Sequence, residues 1–120
     1  MAKKILIVDD EPDVLKVAAF RLKKAGYDVL TAVNGQEALG LAKKDAPELM
    51  LLDLRLPVVS GYDVCKLIKC DEKLKNIRVI LFTASTERMA EKAKEIGADG
   101  YLTKPFDSGK LLEKVKAFIG

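Results

Sequence analysis

Five short hydrophobic runs recur along the chain, and each is followed by a longer segment with apolar residues at helical spacing. The runs are KILIV (4–8), DVLTA (28–32), LMLLD (49–53), VILFT (79–83) and GYLT (100–103). They are almost continuously apolar, whereas a half-exposed strand would alternate, so they predict strands covered on both faces of a parallel sheet. The first intervening segment lies between Pro12 and Gly26, residues typical of a helix start and a helix end.

This alternation predicts an α/β protein with a parallel five-stranded sheet, right-handed crossovers and helices on both faces. A chain of 120 residues is long enough to bury one core, so we expect a single domain over residues 1–120. In open sheets of this kind, ligands bind beyond the carboxyl ends of the strands. The residues at those ends are therefore the candidates for a functional site.

Composition narrows the class of protein. Lys and Arg outnumber Asp and Glu by only 21 to 18, and the basic residues are spread over the helical segments, which disfavours a dedicated nucleic-acid surface. Cys65 and Cys70 stand five apart in a chain without histidine, so they predict idle thiols in a reducing cytosol rather than a zinc site. The apolar stretch before Asp9 is too short for a signal peptide or a membrane span, and we expect a cytoplasmic protein.

Polar residues stand where the predicted strands end. They are Asp9, Asp10 and Glu11 after the first strand, Asp53 at the end of the third, Thr83 at the end of the fourth, and Thr103, Lys104 and Pro105 at the end of the fifth. If these ends converge, the carboxylates repel one another unless a cation joins them. Oxygen ligands of this kind favour Mg²⁺.

An ammonium and a hydroxyl beside a magnesium–carboxylate cluster suit a phosphoryl group. Asp53 is the best covalent acceptor, because the strand before it would fix its direction and an aspartate can form an acyl phosphate. Taken singly, each residue has a plainer interpretation: the first acidic residues as caps of the first helix, Thr83 as a strand residue, Lys104 as a surface charge. Only their joint placement at strand ends favours a site.

Four motifs carry a family resemblance: IVDDE with Asp9 and Asp10, LLDLRLP with Asp53, FTAS with Thr83, and YLTKPF with Lys104. In this order, each after its own strand, they resemble the receiver domain of two-component response regulators, over essentially the whole chain. The resemblance implies a flavodoxin-like, doubly wound (βα)5 fold with strand order 2-1-3-4-5. It also implies a signalling module, not a turnover enzyme, that catalyses its own phosphorylation and dephosphorylation.

The resemblance assigns roles to the site residues. Asp53 would accept a phosphoryl group from a phosphohistidine of a sensor histidine kinase or a phosphotransfer protein. Asp9, Asp10, Asp53 and the backbone carbonyl of Arg55 would hold Mg²⁺, and Lys104 would pair with the phosphoryl group. These assignments make Asp53, Lys104 and Thr83 the predicted catalytic residues.

The resemblance further implies a switch and partners. Thr83 and Tyr101 match the family's switch pair, which would change the surface of the fourth helix, fifth strand and fifth helix toward a downstream target or output domain. Arg55 and Ser85 would flank the path of hydrolytic water and influence phosphoryl lifetime. The chain has no DNA-reading element and no membrane partner is expected, whereas many relatives dimerise through that same surface.

Two alternatives stay open. An aspartyl-phosphate-forming phosphatase would use the same covalent chemistry, but such enzymes carry a second aspartate two residues after the nucleophile, where this chain has Arg55. A degenerate receiver that acts only as a binding module is the other alternative. The presence of Asp53, Lys104 and the acidic pair disfavours it.

Overall fold

A computed structural model describes residues 2–56, 59–83, 89–103 and 108–120, apart from the side chains of residues 83, 89, 90 and 108. The strands are β1 (Lys4–Val8), β2 (Asp28–Ala32), β3 (Leu49–Leu52), β4 (Arg78–Thr83) and β5 (Gly100–Thr103). The helices are α1 (Pro12–Lys24), α2 (Gly35–Asp45), α3 (Gly61–Cys70), α4 (Met89–Ile96) and α5 (Ser108–Ile119). No helix within these described ranges is long and apolar enough to cross a membrane.

The strands form one parallel sheet in the order β2-β1-β3-β4-β5, which confirms the predicted fold class and strand order. β1 lies between β2 and β3. The chain therefore places β2 on one side of β1 and then crosses to the other side, where β3, β4 and β5 follow in order. The register places Val8 beside both Ala32 and Leu52. The residues that follow Val8 and Leu52 therefore begin at the same level on neighbouring strands.

Strand residues alternate between two cores because successive side chains of a strand point to opposite faces. Leu6, Val8, Met50 and Leu52 pack on one face with the apolar sides of α2, α3 and α4. The other face carries Ile5, Ile7, Leu49 and Leu51 against α1 and α5. All eight strand residues are fully buried, and each buried side chain of this size contributes about 1.5–3 kcal/mol.

Two strand boundaries differ from the predicted ones. β3 ends at Leu52, so Asp53 lies just beyond it rather than inside it. β4 begins one residue earlier than predicted, at Arg78, because the Arg78 amide donates to the Glu48 carbonyl and extends the ladder. The charged segment 71–78 before it also buries Leu74 and Ile77. α4 is described from Met89, and residues 84–88 before it lie outside the described residues.

Asp99 ties the amino end of the sheet together. Its carboxylate accepts hydrogen bonds from the ammonium of Lys69 on α3 at 2.7 Å and from the Val79 amide at 2.8 Å, and Arg78 lies at 3.5 Å. Burial by itself would raise the pKa of Asp99, but the hydrogen bonds from Lys69 and Val79 and the charge of both basic residues outweigh it, so the pKa is lowered. The carboxylate is thus stabilised in its charged form.

Gly61, the first residue of α3, touches the chain that leaves β3. Its amide donates to the Leu54 carbonyl at 3.1 Å. A Cβ added to Gly61 would lie 2.2 Å from the Asp53 carbonyl oxygen and 2.6 Å from the Leu54 Cα. Since both neighbours are backbone, only glycine allows this approach. Gly40, in the exposed middle of α2, has nothing within 4 Å of the same position.

We expect opposite effects from the same substitution at these two glycines. Gly61→Ala should lower the free energy of unfolding by about 1–3 kcal/mol because the backbone at Asp53 must move. Gly40→Ala should raise it by about 0.5–1 kcal/mol, since alanine loses less backbone entropy in a helix. Urea unfolding of both variants and the wild type measures the difference. A neutral Gly61→Ala would show that the approach is not restrictive.

Candidate functional site

The site is built on backbone hydrogen bonds that continue the sheet beyond its strands. The amide of Asp9 donates to the Ala32 carbonyl at 3.1 Å, and the amide of Asp53 donates to the Val8 carbonyl at 3.0 Å. Asp9 follows β1 and Asp53 follows β3, and these two strands are neighbours. Both aspartates are therefore held side by side at the carboxyl edge of the sheet, where ligands of such folds bind.

Three carboxylates meet at this edge. One oxygen each of Asp9, Asp10 and Asp53 lies within 4.8 Å of the others. Asp9 is fully buried and Asp53 is 4% exposed, whereas Asp10 is exposed to solvent. The predicted convergence of these three aspartates is thus observed. We call this group the carboxylate cluster.

Local hydrogen bonds orient the two buried carboxylates. Asp9 Oδ1 accepts from the amide of Glu11 at 2.9 Å, and Asp53 Oδ1 accepts from the amide of Arg55 at 3.0 Å. Each aspartate therefore binds the backbone two residues ahead of itself and tightens the turn that leaves its strand. The Asp9 bond lies directly before α1, which begins at Pro12. Helix entry and carboxylate orientation are coupled at this point.

The carboxylate cluster fits a small, hard divalent cation. Three negative charges in a largely buried space repel one another, and a cation between them offsets that repulsion. The donors are all oxygen, which suits Mg²⁺, an ion that keeps several of its waters and binds one or a few carboxylates. Asp9, Asp10 and Asp53 are the residues that would hold it. The Arg55 carbonyl stays a predicted further ligand.

The other predicted site residues are described to different extents. Thr83 is the last residue of β4, beside Thr103 of β5, and its side chain is outside the described part of the chain. Tyr101 lies on β5 and is 37% exposed. The side chain of Arg55 is exposed. Lys104 and Ser85 lie outside the described residues, so their predicted roles stay predictions.

Two glycines and a serine cap shape the segment after Asp53, and the roles of the glycines were not predicted from the sequence. Gly61 approaches the Asp53 carbonyl, and Ser60 caps α3, with its hydroxyl oxygen accepting from the Asp63 amide at 3.3 Å. A Cβ on Gly35 of α2 would lie 2.6 Å from the Val59 carbonyl oxygen, so that helix also presses on the same segment. The Ser60-Gly61 pair before a helical pattern was the available signal, because serine favours the N-cap position.

The buried cysteine, Cys65, offers no competing nucleophile. Cys65 is buried under α4, and its thiol donates to the Ile96 carbonyl at 3.6 Å. Burial raises the pKa of the Cys65 thiol to about 11; the charge of Lys69 lowers it by less, and the charge of Asp99 adds slightly to the rise. The thiol therefore stays protonated at neutral pH. Cys70 is exposed and free, and the prediction of idle thiols stays a prediction for it.

The fold and the carboxylate cluster together define a doubly wound α/β protein with three clustered aspartates at the carboxyl ends of its strands. The chain belongs to the response regulator receiver domain family, whose family model matches residues 5–116. It is therefore a receiver domain of the kind found in two-component signalling, as the sequence motifs predicted. The receiver interpretation is confirmed over that of a phosphatase-type enzyme.

Two sequence relatives are also regulatory proteins. The chain is 40% identical over 120 residues to the alkaline phosphatase synthesis transcriptional regulatory protein PhoP of Bacillus subtilis, covering 99% of this chain and 49% of PhoP. It is 41% identical over 118 residues to the DNA-binding dual master transcriptional regulator RpaA of Synechocystis, covering 97% of this chain and 48% of RpaA. The chain thus spans about half the length of both relatives.

A solved neighbour bears on the cluster. The receiver domain of sensor histidine kinase PA1611 from Pseudomonas aeruginosa superposes with a TM-score of 0.91 at 30% identity, covering 100% of this chain and 99% of that one. That crystal structure has a magnesium ion coordinated in its active site cleft. The acidic residues found here are of the type such an ion requires.

Magnesium should stabilise the protein through the carboxylate cluster. At a concentration 100 times its Kd, a bound ion adds about 2.7 kcal/mol to the free energy of unfolding. Asp10→Asn should raise the melting temperature of the metal-free protein, because one repelling charge is gone, and should shrink the shift caused by MgCl2. Thermal melts with MgCl2 and with EDTA measure both effects. Asp28→Asn, at an exposed position at the start of β2, is the control, and an equal MgCl2 shift in wild type and Asp10→Asn would contradict the assignment.

Proposed function

We propose that this receiver domain takes a phosphoryl group from a phosphohistidine onto Asp53 and switches a partner-binding surface in response. The observation that carries the proposal is the position of Asp53: it is 4% exposed, it lies at the end of a buried strand, and it is one of three clustered carboxylates. Gathering three carboxylates in a largely buried space is costly because their charges repel one another. A cation and a phosphoryl group together provide a reason for it.

The proposed reaction is a transfer between two nucleophiles. A carboxylate oxygen of Asp53 forms a bond to phosphorus while the bond from phosphorus to the histidine nitrogen breaks, and the imidazole leaves with that electron pair. The Arg55 amide at 3.0 Å holds the Asp53 carboxylate in one orientation for the attack. Bound Mg²⁺ supplies positive charge that offsets the charge of the phosphoryl oxygens.

Lys104 and Thr83 complete the proposed catalytic set. Lys104 is assigned to pair its ammonium with the transferred phosphoryl group, and Thr83 to donate its hydroxyl to one of the phosphoryl oxygens. Both follow from their motifs, with Thr83 ending β4 beside the strand that carries Asp53. Hydrolysis of the acyl phosphate by water would return Asp53 to its starting state. The domain would thus catalyse its own phosphorylation and dephosphorylation.

The proposed output is a change of the surface formed by α4, β5 and α5. When Thr83 bonds the phosphoryl group, Tyr101 turns inward and the exposed surface of β5 changes. A sensor histidine kinase or phosphotransfer protein is the proposed donor, and a downstream target or an output domain is the proposed receiver of the signal. Both curated relatives are transcriptional regulators about twice as long, which favours an output domain. A homodimer through the same surface and a cytoplasmic location stay predictions.

Asp53→Asn should abolish phosphoryl incorporation. Wild type incubated with a small-molecule phosphodonor and MgCl2 should gain the mass of one phosphoryl group by intact-mass spectrometry, and EDTA should prevent the gain. Asp28→Asn makes the same chemical change at an exposed position outside the carboxylate cluster and should label like wild type. Equal labelling of Asp53→Asn and wild type would assign the phosphoryl group elsewhere. No labelling of wild type would indicate a degenerate receiver.

Arg55 should prolong the life of the phosphorylated state. Its side chain is exposed, and its amide contacts the Asp53 carboxylate. The Arg55 side chain therefore leaves the backbone close to the carboxylate that would carry the phosphoryl group. Arg55→Ala should accelerate dephosphorylation by up to about fivefold, the effect of losing an exposed ion pair. Arg55→Lys keeps the charge and should retain most of the lifetime. Decay of the phosphorylated mass peak gives the rates, and identical rates in all three proteins would end the hypothesis.

A further inference from the structure

Tyr101 has a cationic neighbour that the proposed switch does not include. The ammonium of Lys114 on α5 lies 5.7 Å from the centroid of the Tyr101 ring, within the range of a cation–π contact. Tyr101 is on the edge strand β5 and its ring is partly exposed in this position. The charge of Lys114 is therefore attracted to the ring in its present orientation.

The path of the Lys114 side chain is defined by the neighbouring glycine. A Cβ added to Gly100 would lie 3.7 Å from Lys114 Cε and 3.1 Å from Cζ of Phe118. The lysine stem thus runs beside Gly100, the residue directly before Tyr101, with Phe118 packed next to it. Lys114 is half-buried, as expected of a side chain that lays its stem on apolar surface. These contacts direct the ammonium toward the Tyr101 ring.

We propose that Lys114 is a positioning residue that holds Tyr101 in the partly exposed orientation and so opposes the inward turn of the switch. The inference rests on the proposed function, because only a phosphorylation-driven switch gives the inward orientation a role. Turning inward takes the ring away from Lys114, and the cation–π attraction is lost. Lys114 therefore sets how much of the unphosphorylated population is in the inward state.

The size of the effect follows from the strength of such contacts. At exposed or half-exposed positions a cation–π contact changes a two-state equilibrium by about two- to fivefold. Removing the charge of Lys114 should raise the inward population by that factor. A ligand that prefers the inward state should then bind tighter by the same factor, as long as that state is the minor one.

The affinity measurement compares three lysine variants with the wild type. Lys114→Met removes the charge and keeps an apolar stem, and Lys114→Arg keeps a cation for the ring. Lys116→Met removes the same charge from an exposed residue two positions along α5, which faces a different side of the helix. The affinity for beryllofluoride, a phosphoryl mimic, is measured in MgCl2 for these variants and the wild type. Fluorine NMR of protein labelled with 3-fluorotyrosine reports Tyr101 directly, assigned with Tyr101→Phe.

We expect Lys114→Met to bind beryllofluoride about two- to fivefold tighter, with the Tyr101 fluorine signal of the unliganded protein shifted toward its beryllofluoride-bound position. Lys114→Arg and Lys116→Met should match the wild type. In a Tyr101→Leu background, Lys114→Met should change the affinity no further, which a merely structural role would not predict. Unchanged affinity and fluorine signal in Lys114→Met would overturn the proposal.

The two proposals fail in different ways. If beryllofluoride binds neither the wild type nor any variant, the proposed function is wrong. If it binds the wild type and moves the Tyr101 signal while Lys114→Met behaves as wild type, the function stands and the role of Lys114 is wrong. Unfolding curves of each variant show whether a change in affinity is caused by loss of the fold.

Discussion

Two backbone hydrogen bonds that continue the parallel ladder past its strands hold the site in place. Through them the amides of Asp9 and Asp53 donate to the carbonyls of Ala32 and Val8, so the backbone of neither aspartate can shift without breaking a hydrogen bond of the sheet. β3 and residues 5–8 of β1, all fully buried, lie before the two aspartates and resist such a movement. The repulsion between the carboxylates is therefore tolerated because the two cores of the sheet, far larger in energy, fix the chain that carries them.

Much of the fold was readable from the sequence because both faces of the sheet are covered. β1, β2 and β5 begin and end at the predicted residues. Charged residues flank the runs of β1 and β5, with Lys3 and Asp9 around the first and Asp99 and Lys104 around the last. The ends of β3 and β4 were displaced by one residue, because their limits depend on pairing rather than on hydrophobicity: Arg78 is charged, yet its amide completes the ladder with Glu48. The hydrophobic pattern identifies a strand, but it does not determine which residue makes the last hydrogen bond of the ladder.

The site was predictable only as far as strand ends determine it. Asp9, Asp10 and Asp53 meet because parallel strands bring their carboxyl ends to one edge, and this follows from topology alone. The close approach of Gly61 to the Asp53 carbonyl and the reach of Lys114 to Tyr101 depend on helix placement, to within an ångström or two. No local pattern in the sequence carries that information, so these contacts required the three-dimensional structure.

The amino and carboxyl ends of the strands differ in how their charges are compensated. At the carboxyl edge, like charges are forced together, whereas at the amino edge Asp99 is surrounded by Lys69, Arg78 and the Val79 amide. The two groups are separated by the length of the strands, and in the described part of the chain no side chain belongs to both. Substitutions at Lys69 and Arg78 can therefore change the thermal stability while the chemistry at Asp53 stays the same. In a receiver with this layout, stability against heat or acid can be adjusted without changing the residues of the carboxylate cluster.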